Sequence, residues 1–330
     1  MKIISEDTTV YHLGECLFES TLRIPQFIDE GSQVIVDVEY DSFTSTLKNE
    51  GSAAAFENAG PRKKIYFDPD KTSAAIVTCG GLCPGLNNVI QSLVIQLYHE
   101  YGVKRILGVR YGYEGLNPEF GHPFVELNPA AVDGIDRVGG TILGTSRGVQ
   151  DVTTMVDTLV KNNIQILFTV GGDGTLRGAN AIFEEIKKRN LNISVVGVPK
   201  TIDNDISFID RTFGFETAVA EATRVIYSAH AEAKSARNGI GLVRLMGRDS
   251  GFIAAYTALA SNDVNFVLIP EIPFRLEGEN GFLFHLHKRI ESKGHAVVVV
   301  AEGAGQDLMG EAASETDASG NKKFGDIGVF

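Results

Sequence analysis

Seven short apolar runs, spaced by segments with helical periodicity, decide most of what this chain can fold into. They are AAIVT (74–78), RILGV (105–109), IQILFTV (164–170), ISVVGV (193–198), IGLVRL (240–245), FVLI (266–269) and HAVVVVA (295–301). Strands that are apolar at nearly every position, rather than at every second one, have both faces buried. That is the condition of a parallel sheet held between helices. The segments between them supply the helices. Residues 87–100 place Val89, Ile90, Leu93, Val94 and Leu97 on one face, and 150–162, 176–190, 216–234 and 281–293 also carry helical signals. The expected class is α/β, with mainly parallel sheets covered by helices on both faces.

Such sheets bind ligands where loops leave the carboxyl ends of the strands, and here five of those loops combine glycine with polar chemistry. In CGGLCPGLNN (79–88), Gly80, Gly81 and Gly85 let backbone approach a ligand, and the helix that follows offers free N–H groups. This is an anion cradle or a plain strand-to-helix turn; it matches neither the Walker A pattern nor GxGxxG. In GGDGT (171–175), the glycines around Asp173 leave room for a polyphosphate, and the carboxylate suits a Mg²⁺ that bridges phosphate oxygens; the alternative is a helix cap. In PKTIDND (199–205), Asp203 and Asp205 point to one side of an extended segment. Their repulsion is compensated if one holds a metal and the other takes a proton, or the segment is an acidic turn. In MGRDSGF (246–252), Arg248 can clamp a phosphoryl group in flight or lie solvated on the surface. AEGAG (301–305) sets Glu302 at a strand end, suited to accept hydrogen bonds from sugar hydroxyls, and GGTILGTSRG (139–148) is a glycine-rich loop able to swing Arg147 over a donor.

The chain has 330 residues, enough for two lobes, and 43% hydrophobic residues give it material for a sizeable core. A net charge of −12 argues against a nucleic-acid partner, which needs a basic face. Cys16, Cys79 and Cys83 are too few for a disulfide framework and have no zinc-type partners, so they are expected as small thiols, two of them buried, in a reducing cytoplasm. Residues 1–10 lack the apolar centre of a signal peptide, and no run approaches the roughly 20 apolar residues of a membrane helix. Residues 1–72 read as an extension, with a strand-like patch at 33–39 and a linker at 48–60.

GGLCPGLN, GYEGL (112–116), GGTILGTSRG, GGDGT, PKTIDND, MGRDSGF and AEGAG occur in the order and spacing of the phosphofructokinases, over about residues 60–305. The run YFDP (66–69) followed by AAIVTCGGLCPGLN resembles the ATP-dependent, plant-like branch of that family. The resemblance implies a two-lobed fold, with a donor lobe over 73–213 and a sugar-phosphate lobe over 214–330. It also implies the glycolytic transfer of a phosphoryl group from ATP to the 1-hydroxyl of fructose 6-phosphate, with Mg²⁺, in a cytoplasmic homo-oligomer, a dimer or tetramer. By the same resemblance Gly80, Gly81, Tyr113, Arg147, Gly172, Gly174, Thr175 and Lys200 belong to the donor site. Asp173 and Asp205 serve the metal, and Thr201 touches the transferred phosphoryl. Asp203 is the base, and Met246, Gly247, Arg248 and Glu302 hold the sugar and the phosphoryl group.

Donor choice turns on size. In the pyrophosphate-using relatives an aspartate follows the GGD aspartate and fills the α-phosphate position; Gly174 leaves that space open, as in the ATP enzymes. Lys200 occurs in both groups of relatives, so a pyrophosphate-dependent enzyme remains the alternative, and a non-catalytic nucleotide-binding chain a more distant one. GGDGT also occurs in diacylglycerol, sphingosine and NAD kinases, from which PKTIDND and MGR separate this chain. Bacterial ATP enzymes carry an interface arginine where this chain has Gly239. The family continues past AEGAG with a 6-phosphate site, whereas here a polar stretch (309–323) and KFGDIGVF (323–330) follow. A truncated chain is therefore expected, one that alone binds donor and metal poorly or not at all and lacks much of the sugar-phosphate grip.

Overall fold

Ahead of residue 73 the chain is more ordered than a linker. In the computed structural model, which describes residues 8–309 together with Gly325 and Ile327, β1 (Phe18–Glu19), β2 (Gln33–Ile35), α1 (Tyr40–Glu50), β3 (Ala55–Glu57) and β4 (Lys64–Ile65) occupy this region. The polar stretch 309–323 and the run 323–330 otherwise lie outside the described residues, as do residues 1–7. Strands β2 and β3 pair antiparallel, as do β1 and β4, so the linker expected over 48–60 is instead the end of a helix and a paired strand. Helix α1 escapes a search for apolar periodicity because it is polar nearly all round. Gly51 ends it in the left-handed conformation, its N–H reaching the Leu47 carbonyl at 3.0 Å. The strand-like patch at 33–39 stops at Ile35. The extension is tied to the body by Thr21 Oγ1, which donates to the Glu100 carbonyl (2.6 Å), and by Tyr66 Oη, which bonds Asn192 (3.2 Å).

The first sheet contains β5 (Ser73–Thr78), β6 (Arg105–Val109), β7 (Val125–Leu127), β8 (Ile166–Gly171) and β9 (Ser194–Pro199), in the order β7-β6-β5-β8-β9. All pairings are parallel except that of β7. Central β5 is buried at all six positions, as its unbroken apolar run requires. Ala75, Val77, Leu107 and Val109 pack against Met155 and Leu159 of α3 (Val152–Lys161) and Ile182 and Ile186 of α4 (Asp173–Lys188). Ala74, Ile76 and Ile106 pack on the other face against Ile90 and Val94 of α2 (Leu86–Ile95). Each such side chain contributes about 1.5–3 kcal/mol of burial. Two helix boundaries differ from expectation: the helix over 87–100 changes at Gln96–Glu100 to one wider, π-type turn, and the helix expected from 176 starts at Asp173.

The second sheet has three parallel strands, β10 (Gly239–Leu245), β11 (Phe266–Leu268) and β12 (His295–Ala301), in the order β10-β12-β11. Val297, Val299 and Ala301 face Ile226 of α5 (Phe215–Ser235) and Ala254 of α6 (Phe252–Ser261). Across the sheet lies α7 (Phe282–Lys293), whose Phe282 ring meets Phe266 edge-on with 5.5 Å between centroids. Helix α6 was not expected, since FIAAYTALAS is apolar on nearly every face and shows no amphipathic stripe. The molecule is thus α/β with two mainly parallel sheets. No helix among the described residues is long and apolar enough to cross a membrane.

Candidate active site

The predicted donor residues come from the carboxyl ends of β5, β6, β8 and β9. Between β8 and α4 there is no loop at all: Gly171 ends the strand, Gly172 is the cap position and Asp173 begins the helix. Asp173 is therefore exposed in the positive first turn, with Gly174 beside it. A Cβ on Gly174 would meet nothing within 4 Å, and the same holds for Gly81. The loop bearing Gly80 is fastened to the loop of Arg147. Thr145 Oγ1 donates to the Gly80 carbonyl (2.7 Å), and the Gly80 N–H reaches the Ser146 carbonyl (3.4 Å). Lys200 is buried beneath this pair, its ammonium donating to the Gly81 carbonyl at 2.7 Å. Burial holds its pKa below the usual lysine range, and the nearby Arg147 charge adds to that.

Tyr113 and Thr175 lie under this surface rather than on it. The Tyr113 hydroxyl donates to the Thr175 carbonyl at 2.7 Å, burial raises its pKa, and both side chains are shielded. They form the floor on which the first turn of α4 rests. Cys79 and Cys83 are buried as expected, their thiols pushed up to about 12 and about 11 by desolvation, which leaves them unreactive.

Segment 199–205 leaves β9 and joins the two sides. The Lys200 N–H bonds the Gly171 carbonyl at 3.0 Å. The Thr201 hydroxyl accepts from the Asp203 N–H (3.1 Å) and donates to the Asp205 carboxylate (2.6 Å), so one side chain ties both acidic residues. Asp205 is exposed. Among the described residues Asp203 Oδ1 is buried with no hydrogen-bond partner. Desolvation raises the Asp203 pKa to about 6, helped by the charges of Asp205 and Glu302. The Arg248 backbone hydrogen bond to the carboxylate and the Arg248 charge act in the opposite sense. Two carboxylates two residues apart thus differ sharply in surroundings, the pattern of a base set beside a metal or phosphate ligand.

In the second sheet, β10 and β12 run on in register into their loops. The Glu302 N–H bonds the Leu245 carbonyl and the Gly303 N–H bonds the Gly247 carbonyl, both at 2.9 Å. These bonds hold the MGR and AEGAG loops together, with Met246 exposed and Arg248 and Glu302 half-buried. Ser250 of this loop donates its hydroxyl to the carbonyl of Asp203 at 3.0 Å, crossing from one sheet's loops to the other's. Asp203, Asp205, Arg248 and Glu302 are therefore neighbours. Asp173 belongs to the adjoining wall, at a cavity of about 410 Å³ lined also by Leu176, Arg177 and Asn180. A larger cavity of about 850 Å³, between α2, residues 136–139 and the start of α5, is lined by Gly85 but by none of the other predicted residues.

Ser250, Arg177 and Asn180 escaped the sequence reading, as did Asn204, whose side chain closes the loop after Asp203. Ser250 and Asn204 stand inside motifs already singled out, MGRDSGF and PKTIDND; Arg177 and Asn180 carry no signal beyond their proximity to one. Among the described residues no three His, Cys, Asp or Glu side chains converge on a metal-sized point. That is compatible with Mg²⁺, which is commonly held by one or two carboxylates together with substrate phosphates; exposed Asp173 and Asp205 are hard oxygen donors of that kind.

With this geometry in view, the comparisons with known proteins point one way. The family profile described as Phosphofructokinase matches residues 73–324. The ATP-dependent 6-phosphofructokinase of Borreliella burgdorferi is 51% identical, across 98% of this chain and 75% of that protein. The ATP-dependent 6-phosphofructokinase 7 of Arabidopsis thaliana is 54% identical, across 83% of this chain and 56% of that protein. Among solved structures, phosphofructokinase from Saccharomyces cerevisiae superposes with a TM-score of 0.60 at 28% identity, over 71% of this chain and 34% of that one. The chain thus spans from a third to three quarters of the proteins it matches.

Proposed function

The chain belongs to the phosphofructokinase family, and on that premise we propose that it transfers the terminal phosphoryl group of ATP to the 1-hydroxyl of fructose 6-phosphate, yielding fructose 1,6-bisphosphate. The observation that carries the reading is Asp203: a half-buried carboxylate with one oxygen unpartnered and its pKa raised to about 6, at the seam of both sets of loops. A base whose pKa lies near neutrality accepts the alcohol proton efficiently, a contribution of about 10²–10⁴ in rate.

The chain's own residues divide the work. Gly81 and Gly174 leave space for the donor's phosphates against bare backbone, and the first turn of α4 offers its N–H groups to them. Buried Lys200 and exposed Arg147 set positive charge along the same wall. Arg248 neutralises charge that develops on the phosphoryl oxygens in transit, Glu302 receives sugar hydroxyls, and Met246 and Gly247 complete that side. Asp173 and Asp205 are the residues that would hold Mg²⁺, which when bound neutralises phosphate charge. The open space at Gly174 favours ATP over pyrophosphate as donor. We assign 73–213 to the donor lobe and 214 onward to the sugar lobe, and take the working form to be a cytoplasmic homo-oligomer.

A coupled assay of the full chain with fructose 6-phosphate and Mg²⁺, supplied with ATP or with pyrophosphate, tests the reading. Turnover is expected with ATP, and Asp203→Ser is expected to lower it by about 10²–10⁴-fold while leaving sugar and donor binding intact. Turnover with pyrophosphate alone would reverse the donor assignment. Undiminished turnover in Asp203→Ser would remove Asp203 from the chemistry.

A further inference from the structure

We infer that Asn204 is the positioning residue of this site: its buried amide anchors the turn that aims Asp203 and Asp205 in different directions. Asn204 has φ of 57°, in the left-handed region that few residues other than glycine enter without cost, though Asn tolerates it better than most. That conformation turns the backbone between the two acidic residues, so that one carboxylate goes inward and the other to solvent.

The side chain then holds the turn closed. Asn204 is 9% exposed. Its Oδ1 accepts from the Thr212 N–H at 2.8 Å and from the Thr212 hydroxyl at 3.2 Å, and its Nδ2 donates to the Asp210 carbonyl at 3.1 Å. Three of the four hydrogen bonds an amide can make are therefore directed at residues 210–212, just ahead of Gly214, where α5 begins. The loop 205–211 in between is otherwise tied near its surface, where Asp205 accepts from Thr201, the Phe208 ring meets Phe56 with 5.5 Å between centroids and Arg211 pairs with Glu216. Ser207, Phe208, Asp210 and Arg211 are all exposed, so Asn204 supplies its buried anchor. From the other lobe, Ser250 (4% exposed) fixes the carbonyl of Asp203 itself. The base is thus held on one side by Asn204 through the start of α5, and on the other by a hydroxyl from the loop after β10. No substrate contact is assigned to Asn204; it acts through its neighbours.

The inference rests on Asp203 being the base, and the test separates the two claims. In the full chain, with ATP, Mg²⁺ and fructose 6-phosphate, Asn204→Gly keeps the positive φ available and removes only the amide. It is expected to lower kcat per folded molecule by about 10- to 100-fold, the scale on which small misplacements act, with KM for both substrates within about threefold. Asn204→Asp keeps an acceptor for Thr212 but sets a carboxylate oxygen against the Asp210 carbonyl and adds buried negative charge between Asp203 and Asp205, so it is expected to lower kcat at least as far. In the absence of any ligand, the Thr212 amide is expected to exchange its hydrogen at least about tenfold faster in Asn204→Gly. The inference is overturned by a kcat within twofold of the parent, by a loss that appears mainly in KM, or by unchanged exchange at Thr212. If the parent turns over and Asp203→Ser does not, while Asn204→Gly is unimpaired, only the positioning role is lost. In a parent that does not turn over, unchanged exchange at Thr212 in Asn204→Gly still overturns the inference.

Discussion

The glycines of the two sets of loops look alike in sequence and are there for different reasons. Beside the first sheet, a Cβ at Gly81 or Gly174 would meet no described atom within 4 Å, although one at Gly171 would run into Thr175. Beside the second sheet, a Cβ at Gly303 would overlap the carbonyl of Arg248 in the neighbouring loop, and one at Gly247 the carbonyl of Ser250 in its own turn. At Gly81 and Gly174 glycine leaves open space; at Gly303 it lets two loops lie against each other, and at Gly247 it lets one turn close. A glycine-rich turn is thus a statement about close approach, and only the fold says what approaches.

Substitution should separate the two regions. The largest effect on folding is expected from Gly303→Ala, where a methyl group would have to displace the backbone that carries Arg248. A loss of about 3 kcal/mol is expected, read from urea unfolding, together with loss of turnover. A near-neutral result would mean that the two loops can part, which would break the contrast. Gly174→Asp should show the reverse: stability within about 1 kcal/mol of the parent, but ATP no longer accepted as donor. If ATP activity survives, the open space beside Asp173 does not select the donor. The mildest test leaves the sequence alone. Asp203 has a pKa raised to about 6 from an ordinary 3.8, so its reactive, charged form is lost as pH falls through 6. The kcat/KM, which reports the free enzyme, should then decline about tenfold per pH unit below that point. The sign for stability is opposite: between about pH 4 and 6 the folded state binds the extra proton, so the cost of burying this carboxylate is relieved as pH falls. An acid limb in kcat/KM near 4 would indicate that Asp203 is far better solvated than its surroundings suggest.

Much of the frame was legible in the sequence, because a strand buried on both faces has no alternative to being apolar throughout: 74–78 and 295–301 could be little else. What escaped did so for physical reasons. Helix α6 is apolar nearly all round and α1 polar nearly all round, so neither shows a period of 3.6. Asp173 was expected in a loop because Gly-Gly-Asp-Gly-Thr disfavours helix, but the turn of β8 into α4 is so tight that the helix has begun by Asp173. In the site, charged and glycine-bearing motifs identify themselves, while Tyr113, which the resemblance puts in the donor site, is buried with its hydroxyl consumed beneath α4. The roles of Asn204 and Ser250 depend on residues 210–212 and on a loop about 46 positions away, partners that spacing alone does not reveal.

The ammonium of Lys200 sits inside the protein, behind the carbonyl of Gly81, rather than at the end of a mobile surface chain. Dissolved ions crowd around exposed charges and mute them within about a Debye length, but they reach buried ones much less. Attraction of an anion to Lys200 should therefore fade only gradually as ionic strength rises, whereas the pull of exposed Arg147 on the same wall should weaken with added salt.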